Sequence, residues 1–110
     1  WRATVASPSS HSPTPATCSS AAPPVTSNKG VTGHTFAAAG AIEAVATVLS
    51  MRAGLLPPAT VGFEPDPDLP IDVVHDRARP WTPGPTLSTS FGLGGQNAAI
   101  VLAPPPVDHR

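Results

Sequence analysis

Apolar and small residues dominate the stretch that runs from about Gly33 to Ala53. A buried helical stripe is predicted by the apolar positions that recur at i, i+3, i+4 and i+7, which are Ile42, Val45, Ala46 and Leu49, with Val48 on the flank. The helix is predicted to begin at about Thr32 or Gly33 and to end at Ala53, with Gly54 as its C-cap and Pro57-Pro58 as its stop. The small residues from Ala37 to Ala41 allow another element to pack close to the helix.

Short runs of β-forming residues flank this helix on both sides. The predicted strands and extended pieces are 24–27, 59–63, 71–74, 86–91 and 97–102. The last two runs are separated by Gly92 to Gln96, so we expect them to pair as adjacent antiparallel strands in a buried sheet. The glycines between them are either turn residues or a phosphate cradle, and the second reading is disfavoured because no helix start and no GK[ST] sequence follows.

The two ends and one internal connection lack such periodicity. Trp1 to Pro24 contains five prolines, with Arg2 as its only charged side chain, and is predicted to be disordered or loosely extended. Pro104 to Arg110 is predicted to be a disordered tail. Alternating proline and carboxylate residues in 64–70 predict a surface connection rather than a metal loop, because a sharp glycine turn is missing. The charges of 75–81 are assigned to solvent.

Composition limits the kind of protein. The chain has 110 residues, 16 of them proline, with 12% charged and 5% aromatic residues, so we expect one domain at most and part of a larger protein. A formal charge of −1 and the lack of a basic cluster argue against a nucleic-acid partner. The apolar runs are judged far below membrane-spanning length, which makes a soluble cytoplasmic protein the default. A single cysteine, Cys18, excludes an intramolecular disulfide and a CxxC metal site.

Three polar side chains near the helix start are the candidates for chemistry. A histidine at a helix entrance can keep a neutral ring and donate a hydrogen bond to an oxyanion, but His34 could equally bond its ring to backbone groups. Lys29 could be a solvated loop lysine. Glu43 lies either on the solvent face or in the interior beside a cation. A pair with Lys29 is the more economical interpretation, because a buried charge without a partner is costly.

Two motifs resemble those of the β-ketoacyl-acyl-carrier-protein synthases. The first, a lysine-histidine motif followed by a Gly/Ala-rich segment, is matched by Lys29, Gly33, His34, Gly40, Ala41, Glu43 and Ala44. The second, Ser-Phe-Gly-Phe-Gly-Gly-x-Asn, is matched by Ser90 to Asn97, with Leu93 where most relatives have Phe. The resemblance covers about Ala22 to Ala103 and is to the C-terminal part of a KAS II-like synthase. It implies an α/β class: a C-terminal fragment of a thiolase-like layered α/β/α fold, with one long buried helix and a small mixed sheet.

The resemblance also implies a division of the chain and a chemistry. Residues 1–22 would be a disordered or aberrant segment, 23–103 a partial synthase C-terminal domain, and 104–110 a tail. The family condenses an acyl thioester with malonyl-acyl-carrier protein by decarboxylation, without a cofactor or metal, in fatty-acid or polyketide synthesis. Acyl carrier protein would be the partner, and the full-length protein a cytoplasmic homodimer that binds neither nucleic acid nor membrane.

Each site residue receives a role from the resemblance. His34 would stabilise the enolate that decarboxylation leaves. Lys29, with Glu43 as its partner, would fix the polar network around the histidines. The backbone N–H of Leu93 would join the oxyanion hole, and the side chains of Phe91 and Leu93 would line the acyl pocket and gate it.

Cys18 is not carried over as the nucleophile, although Thr17-Cys18-Ser19-Ser20 is superficially similar to the family's Ala-Cys-Ser-Ser motif. The family's nucleophile lies far upstream, at the start of a buried helix, and no such context surrounds Cys18. Without that cysteine and the family's first histidine, the 110-residue chain alone is expected to be inactive. The alternatives are a non-catalytic chain-length-factor partner subunit of a polyketide synthase, and a proline-rich interaction segment fused to a small domain.

Overall fold

The computed structural model describes residues 4–6, 22–62, 64 and 66–106. Within them the elements follow in the order β1 Thr4–Ala6, β2 Pro24–Thr26, α1 Lys29–Thr32, a 3₁₀ turn Phe36–Ala38, α2 Ala39–Ala53, β3 Leu55–Leu56, β4 Asp72–Val73, β5 Arg79–Pro80, β6 Thr86–Phe91 and β7 Asn97–Leu102. The predicted α/β class, with one long helix and a small mixed sheet, is confirmed, but the helix is not buried as predicted, because only Ala39, Glu43 and Thr47 of α2 are buried.

Five of the strands form one mixed sheet in the order β4-β2-β1-β6-β7. Strands β2 and β4 are parallel, and the other neighbours are antiparallel. The β6–β7 pair runs in register from Thr86 opposite Leu102 to Phe91 opposite Asn97. Both strands therefore have the bounds and the pairing that the sequence predicts. The predicted burial is wrong for β7, which lies at the sheet edge with most of its residues exposed, whereas β6 buries Thr86 and Ser88.

Strand β1 corrects the prediction that Trp1 to Pro24 is disordered or loosely extended. Thr4–Ala6 pairs with β2 on one side and with β6 on the other, so this segment lies at the centre of the sheet. Three residues are too few to show a period in the sequence, and the strand is held by partners far along the chain. The predictions for 1–3 and 7–21, including the exposure of Cys18, lie outside the described residues, as does the tail from 107 onward.

The end of α2 is confirmed and its predicted start is wrong. Gly54 adopts a left-handed conformation, with φ 65° and ψ 27°, and its N–H is directed at the carbonyls of Ser50 and Met51. At the other end Gly33 has φ 69° and ψ 178°, a conformation essentially reserved for glycine. This break separates α1 from the 3₁₀ turn, and α2 itself begins only at Ala39.

The face that α2 buries differs from the apolar stripe that its spacing predicts. The buried residues are Ala39, Glu43 and Thr47, which recur every four positions and face the sheet. Val45 and Leu49 are 60% and 56% exposed. The sheet explains this, because β6 presents the buried hydroxyl side chains of Thr86 and Ser88 to the interior. Within the described residues the helix therefore packs a small and polar stripe inward and leaves its aliphatic stripe outward.

The apolar character of this helix also revises the membrane prediction. Phe36–Ala53 spans 18 residues with a mean hydropathy of 1.3, enough by length and composition alone for a membrane-crossing helix. The expectation that apolar runs are far below this length is therefore wrong here. The helix nevertheless carries a buried glutamate and contacts β6 and β7. The core helix of a soluble protein meets the same length and composition criterion, although it is mostly buried, whereas 17% of Phe36–Ala53 is buried here.

A second, two-stranded sheet of β3 and β5 closes the fold around a small core. Leu56 and Val74 are buried there, and Trp81 packs against them. The main-chain N–H of Val74 donates to Val25 of the large sheet, and the N–H of Ala59 donates to Val74. These bonds place the segment after α2 against the loop that carries Lys29.

Candidate active site

Lys29 and Glu43 form the ion pair that the sequence favours. Lys29 Nζ donates to Glu43 Oε1 at 2.7 Å, with the lysine side chain 21% and the glutamate side chain 5% exposed. The lysine begins α1 and the glutamate lies in the second turn of α2, so the pair links the loop to the helix. A carboxylate this deeply buried is tolerated when a cation and hydrogen bonds accompany it. The predicted pairing is confirmed.

The turn that carries Lys29 is held by close backbone packing. A Cβ atom added to Gly30 would collide with the carbonyl oxygen of Ala59, so only glycine fits without movement. The carbonyl of Asn28 accepts hydrogen bonds from the main-chain N–H groups of Val31 and Thr32. The hydroxyl of Thr26 donates to the carbonyl of Pro57 at 2.5 Å. The position of Lys29 is therefore set by the segment that follows α2 as well as by α1.

His34 follows the glycine break and is exposed. Its ring nitrogen Nδ1 accepts a hydrogen bond from the main-chain N–H of Phe36 at 3.2 Å. Bonding of the ring to the backbone was one of the two alternatives that the sequence left open for His34. The same bond has a chemical consequence, because a neutral ring whose Nδ1 is an acceptor carries its proton on Nε2. His34 can therefore donate from Nε2–H to a ligand oxygen.

Phe36 is a neighbour of His34 that the sequence analysis did not single out. Its ring stacks on the imidazole with centroids 5.1 Å apart and planes at 14°. Its backbone has φ 51°, a left-handed conformation that a bulky residue adopts at a strain of about 1–2 kcal/mol. The one signal in the sequence is an aromatic residue two positions after His34 in a run of otherwise small side chains.

The glycine loop between β6 and β7 carries Leu93, and Phe91 is the last residue of β6 before it. Gly94 and Gly95 have φ values of 91° and 82°, and the N–H of Gly92 donates to the carbonyl of Gln96 at 2.7 Å. Leu93 at the loop tip is fully exposed, and the phenyl ring of Phe91 is largely exposed. The loop is a tight turn whose shape depends on glycine, which leaves the Leu93 side chain without a covering partner in the described part of the chain.

The structure brings together some of the predicted residues and leaves others apart. Lys29 and Glu43 are joined, whereas the hydrogen bonds and ring contacts described for His34 and for the loop tip do not connect them. A cavity of about 260 Å³ lies at the other end of α2, lined by Val48, Met51, Arg52 and 102–105, and includes none of the predicted residues. Convergence of His34 and Leu93 on one pocket stays a prediction.

Asp72 and Asp76, which lie outside the candidate site, have lowered pKa values. The hydrogen bonds that Arg79 donates to Asp72, at 2.6 and 2.8 Å, lower the pKa of Asp72 against the opposing effect of burial, and they raise the pKa of Arg79. The N–H of Gly62 and then the ring of His75 lower the pKa of Asp76. The charges of 75–81 are exposed or half-exposed, as predicted, but several are paired.

Within 22–62, 64 and 66–106, no three His, Cys, Asp or Glu residues are placed to hold a metal.

Comparison with known proteins supplies the class of protein. The family model "Beta-ketoacyl synthase, C-terminal domain" matches residues 9–63, which is half of the chain. The chain therefore belongs to the β-ketoacyl synthase family, within its C-terminal domain. The match starts at residue 9, ahead of the resemblance from about Ala22 that the motifs indicated.

Named relatives agree with this assignment. The chain is 36% identical over 80 residues to "3-oxoacyl-[acyl-carrier-protein] synthase I, chloroplastic" of Hordeum vulgare, covering 73% of this chain and 17% of the relative. It is 42% identical to "3-oxoacyl-[acyl-carrier-protein] synthase 2" of Coxiella burnetii over 80 residues, 72% of this chain and 19% of the relative. A putative mitochondrial synthase of Schizosaccharomyces pombe is 47% identical over 81 residues, 70% and 18% of the two chains.

The chain thus spans less than a fifth of the length of these relatives. No solved structure matches it at a comparable level of significance.

Proposed function

We propose that this chain serves as the C-terminal part of a 3-oxoacyl-acyl-carrier-protein synthase, which joins an acyl thioester to malonyl-acyl-carrier protein in fatty-acid synthesis. The observation that carries the proposal is the arrangement at the start of α2. A buried Lys29–Glu43 pair fixes the loop, and the loop presents His34 with its Nε2–H free to donate. The names of the relatives support the same reaction class.

In this reaction, loss of carbon dioxide from the malonyl thioester leaves an enolate. The negative oxygen needs hydrogen-bond donors that are already in place, because rearranging them during the reaction would raise the barrier. His34 would be one donor, through Nε2–H, and the N–H of Leu93 would be another in the oxyanion hole used for acyl transfer. The acyl-carrying cysteine would come from another part of the synthase.

Lys29 and Glu43 act on His34 indirectly in this proposal. Their ion pair holds α1 against α2, and the glycine break at Gly33 then sets the direction in which the chain leaves for His34. Leu93, fully exposed at its loop tip, would gate the acyl pocket with a smaller side chain than the phenylalanine of most relatives. A different acyl-chain preference is the expected consequence.

The outward face of α2 supports a role within a longer protein. Val45, Val48 and Leu49 are between 45% and 60% exposed, and β7 is exposed along most of its length. An aliphatic stripe of this kind on a helix otherwise packed against a sheet is typical of a surface that another segment covers. We propose that the rest of the synthase covers it.

The same proposal includes the partner protein, the oligomeric state and the location in the cell. Acyl carrier protein would deliver both substrates, as the names of the relatives imply for those proteins. Homodimer formation, a cytoplasmic location and the lack of a membrane or nucleic-acid partner stay predictions. The chain-length-factor alternative is less favoured, since Lys29, His34 and Glu43 are all present and two of them are joined as the enzyme interpretation requires.

A chimera provides the test. The matching 80-residue segment of the Coxiella burnetii synthase is replaced by the corresponding segment of this chain, and condensation of acyl- and malonyl-acyl-carrier protein is measured. We expect the chimera to condense, and the His34→Ala chimera to lose at least about a hundredfold in turnover, the scale seen when a donor to a developing oxyanion is removed.

Two controls complete the experiment. The Leu69→Ala chimera, altered at an exposed position in the 66–70 connection, should keep the activity of the parent chimera. The 110-residue chain alone should be inactive. A folded chimera that does not condense, or one whose turnover is unaffected by His34→Ala, would refute the proposed function.

A further inference from the structure

Phe36 has an environment that a structural role does not explain. Its side chain is 82% exposed, so it contributes little to any apolar core in the described part of the chain. Its backbone is left-handed, a conformation that glycine or asparagine would adopt with less strain. A bulky and exposed residue therefore occupies a strained position where a smaller one would be more stable, and strain of this kind clusters at functional sites.

Two contacts of Phe36 converge on the same imidazole. Its main-chain N–H donates to His34 Nδ1 at 3.2 Å, and its phenyl ring stacks on the imidazole with the centroids 5.1 Å apart and the planes at 14°. The hydrogen bond from the Phe36 N–H alone would select Nδ1 of His34 as the acceptor. The exposed imidazole could still rotate about its terminal side-chain torsion, whose energy profile is broad and shallow. The stacked phenyl ring restricts that rotation.

We propose that the phenyl ring of Phe36 is a positioning element for His34: it holds the imidazole plane so that Nδ1 stays on the backbone N–H and Nε2–H stays directed outward as a donor. This inference rests on the proposed function for its catalytic meaning, but its physical content concerns one ring and one hydrogen bond. Phe36 itself does not touch the reacting atoms. Its left-handed backbone is what brings both the N–H and the ring to the same histidine.

The test measures the tautomer of His34 directly, by ¹⁵N NMR of the full 110-residue chain labelled on histidine. His34→Gln identifies the His34 resonances by removing them. In the parent chain, we expect the neutral ring to be almost entirely protonated on Nε2. In Phe36→Leu, which keeps the N–H donor and the apolar character but not the aromatic face, we expect the share of the Nδ1-protonated ring to rise about threefold, a change of the size that one exposed aromatic pair provides.

Two further variants separate the ring from the backbone. Phe36→Tyr keeps the stacked ring and should restore the tautomer ratio of the parent chain. Phe36→Gly removes the backbone strain and the ring together, and should resemble Phe36→Leu. Because Phe36 is exposed, none of these variants removes a core side chain.

The outcomes decide the proposal independently of any activity. If Phe36→Leu and the parent chain have the same tautomer ratio, or if Phe36→Gly matches the parent while Phe36→Leu does not, the positioning role of the ring is wrong. In an active chimera, Phe36→Leu should lower kcat only by the small fraction of Nε2-protonated ring that is lost, while leaving KM unaltered. An inactive chimera combined with the expected tautomer shift would reject the proposed function and retain the positioning of His34.

Discussion

Two ion pairs in the described part of the chain, Lys29–Glu43 and Arg79–Asp72, have similar lengths and very different surroundings. Lys29–Glu43 spans 2.7 Å with a glutamate that is 5% exposed, whereas Arg79–Asp72 spans 2.6 Å with both side chains about two-fifths exposed. The first joins a loop to the inner face of α2, and the second links β5 to β4 across the two sheets. Burial, rather than distance, decides what each pair does for the molecule.

The largest expected effect is the loss of the buried cation. Lys29→Met leaves the Glu43 carboxylate in the interior without its ammonium partner, which should lower the free energy of unfolding by about 3 kcal/mol. Urea denaturation measures this change. Lys29→Met combined with Glu43→Met removes both charges and should recover more than half of the loss. A loss below 1 kcal/mol for the single variant would mean that burial of the pair has been overstated.

A change in the loop that carries Lys29 tests whether the pair depends on close packing. Gly30→Ala places a methyl group against the carbonyl oxygen of Ala59, and the resulting shift should lower the free energy of unfolding by about 2 kcal/mol. Gly62→Ala is a poor control because its φ is 72°, so the matched control is Val31→Ala, at an 84% exposed side chain in the same turn. Equal stability of Gly30→Ala and the parent chain would show that the loop has room to move.

The exposed pair should respond far less. Asp72→Asn removes one charge from a bidentate contact but leaves both side chains partly solvated, so the expected loss is about 0.5 kcal/mol and decreases at high salt. The same urea titration at low and high salt measures it. A loss as large as that of Lys29→Met would contradict the contrast between the two pairs.

The smallest effect is a dependence on acid pH. Arg79 lowers the pKa of Asp72 below its ordinary 3.8, so the folded state holds its proton less tightly than the unfolded state. The stability from this carboxylate is therefore fully present above about pH 4 and is lost as pH falls through the folded value. Asp72→Asn should flatten this part of the stability curve. An unchanged slope between pH 5 and pH 2 would contradict the assignment.

Several features that depend on short-range interactions were predicted correctly from the sequence. The spacing of residues predicted the bounds of β6 and β7, and a turn residue predicted the cap at Gly54. The cost of burying a charge without a partner predicted the Lys29–Glu43 pair. Strand β1 was missed because its three residues are held by β2 and β6, distant in sequence. The inner face of α2 was assigned wrongly because the aliphatic stripe was expected to cover this sheet, whose buried side is lined by hydroxyls.

The candidate site likewise has parts that the sequence predicts and parts that it does not. His34 could be identified by its motif, but the acceptor role of Nδ1 depends on the left-handed backbone of Phe36, which no local pattern in a run of small residues indicates. Whether Leu93 shares a pocket with His34 depends on packing beyond either segment. A single sequence carries that information only through resemblance.

The most direct test of the account is the rate at which the chimera decarboxylates malonyl-acyl-carrier protein, measured for variants of each ion pair. We expect Lys29→Met to lose most of this activity, because the loop that presents His34 is no longer held on α2, and Asp72→Asn to retain it. Equal rates for the two variants in folded protein, whether both active or both inactive, would contradict the claim that the buried pair positions the catalytic histidine.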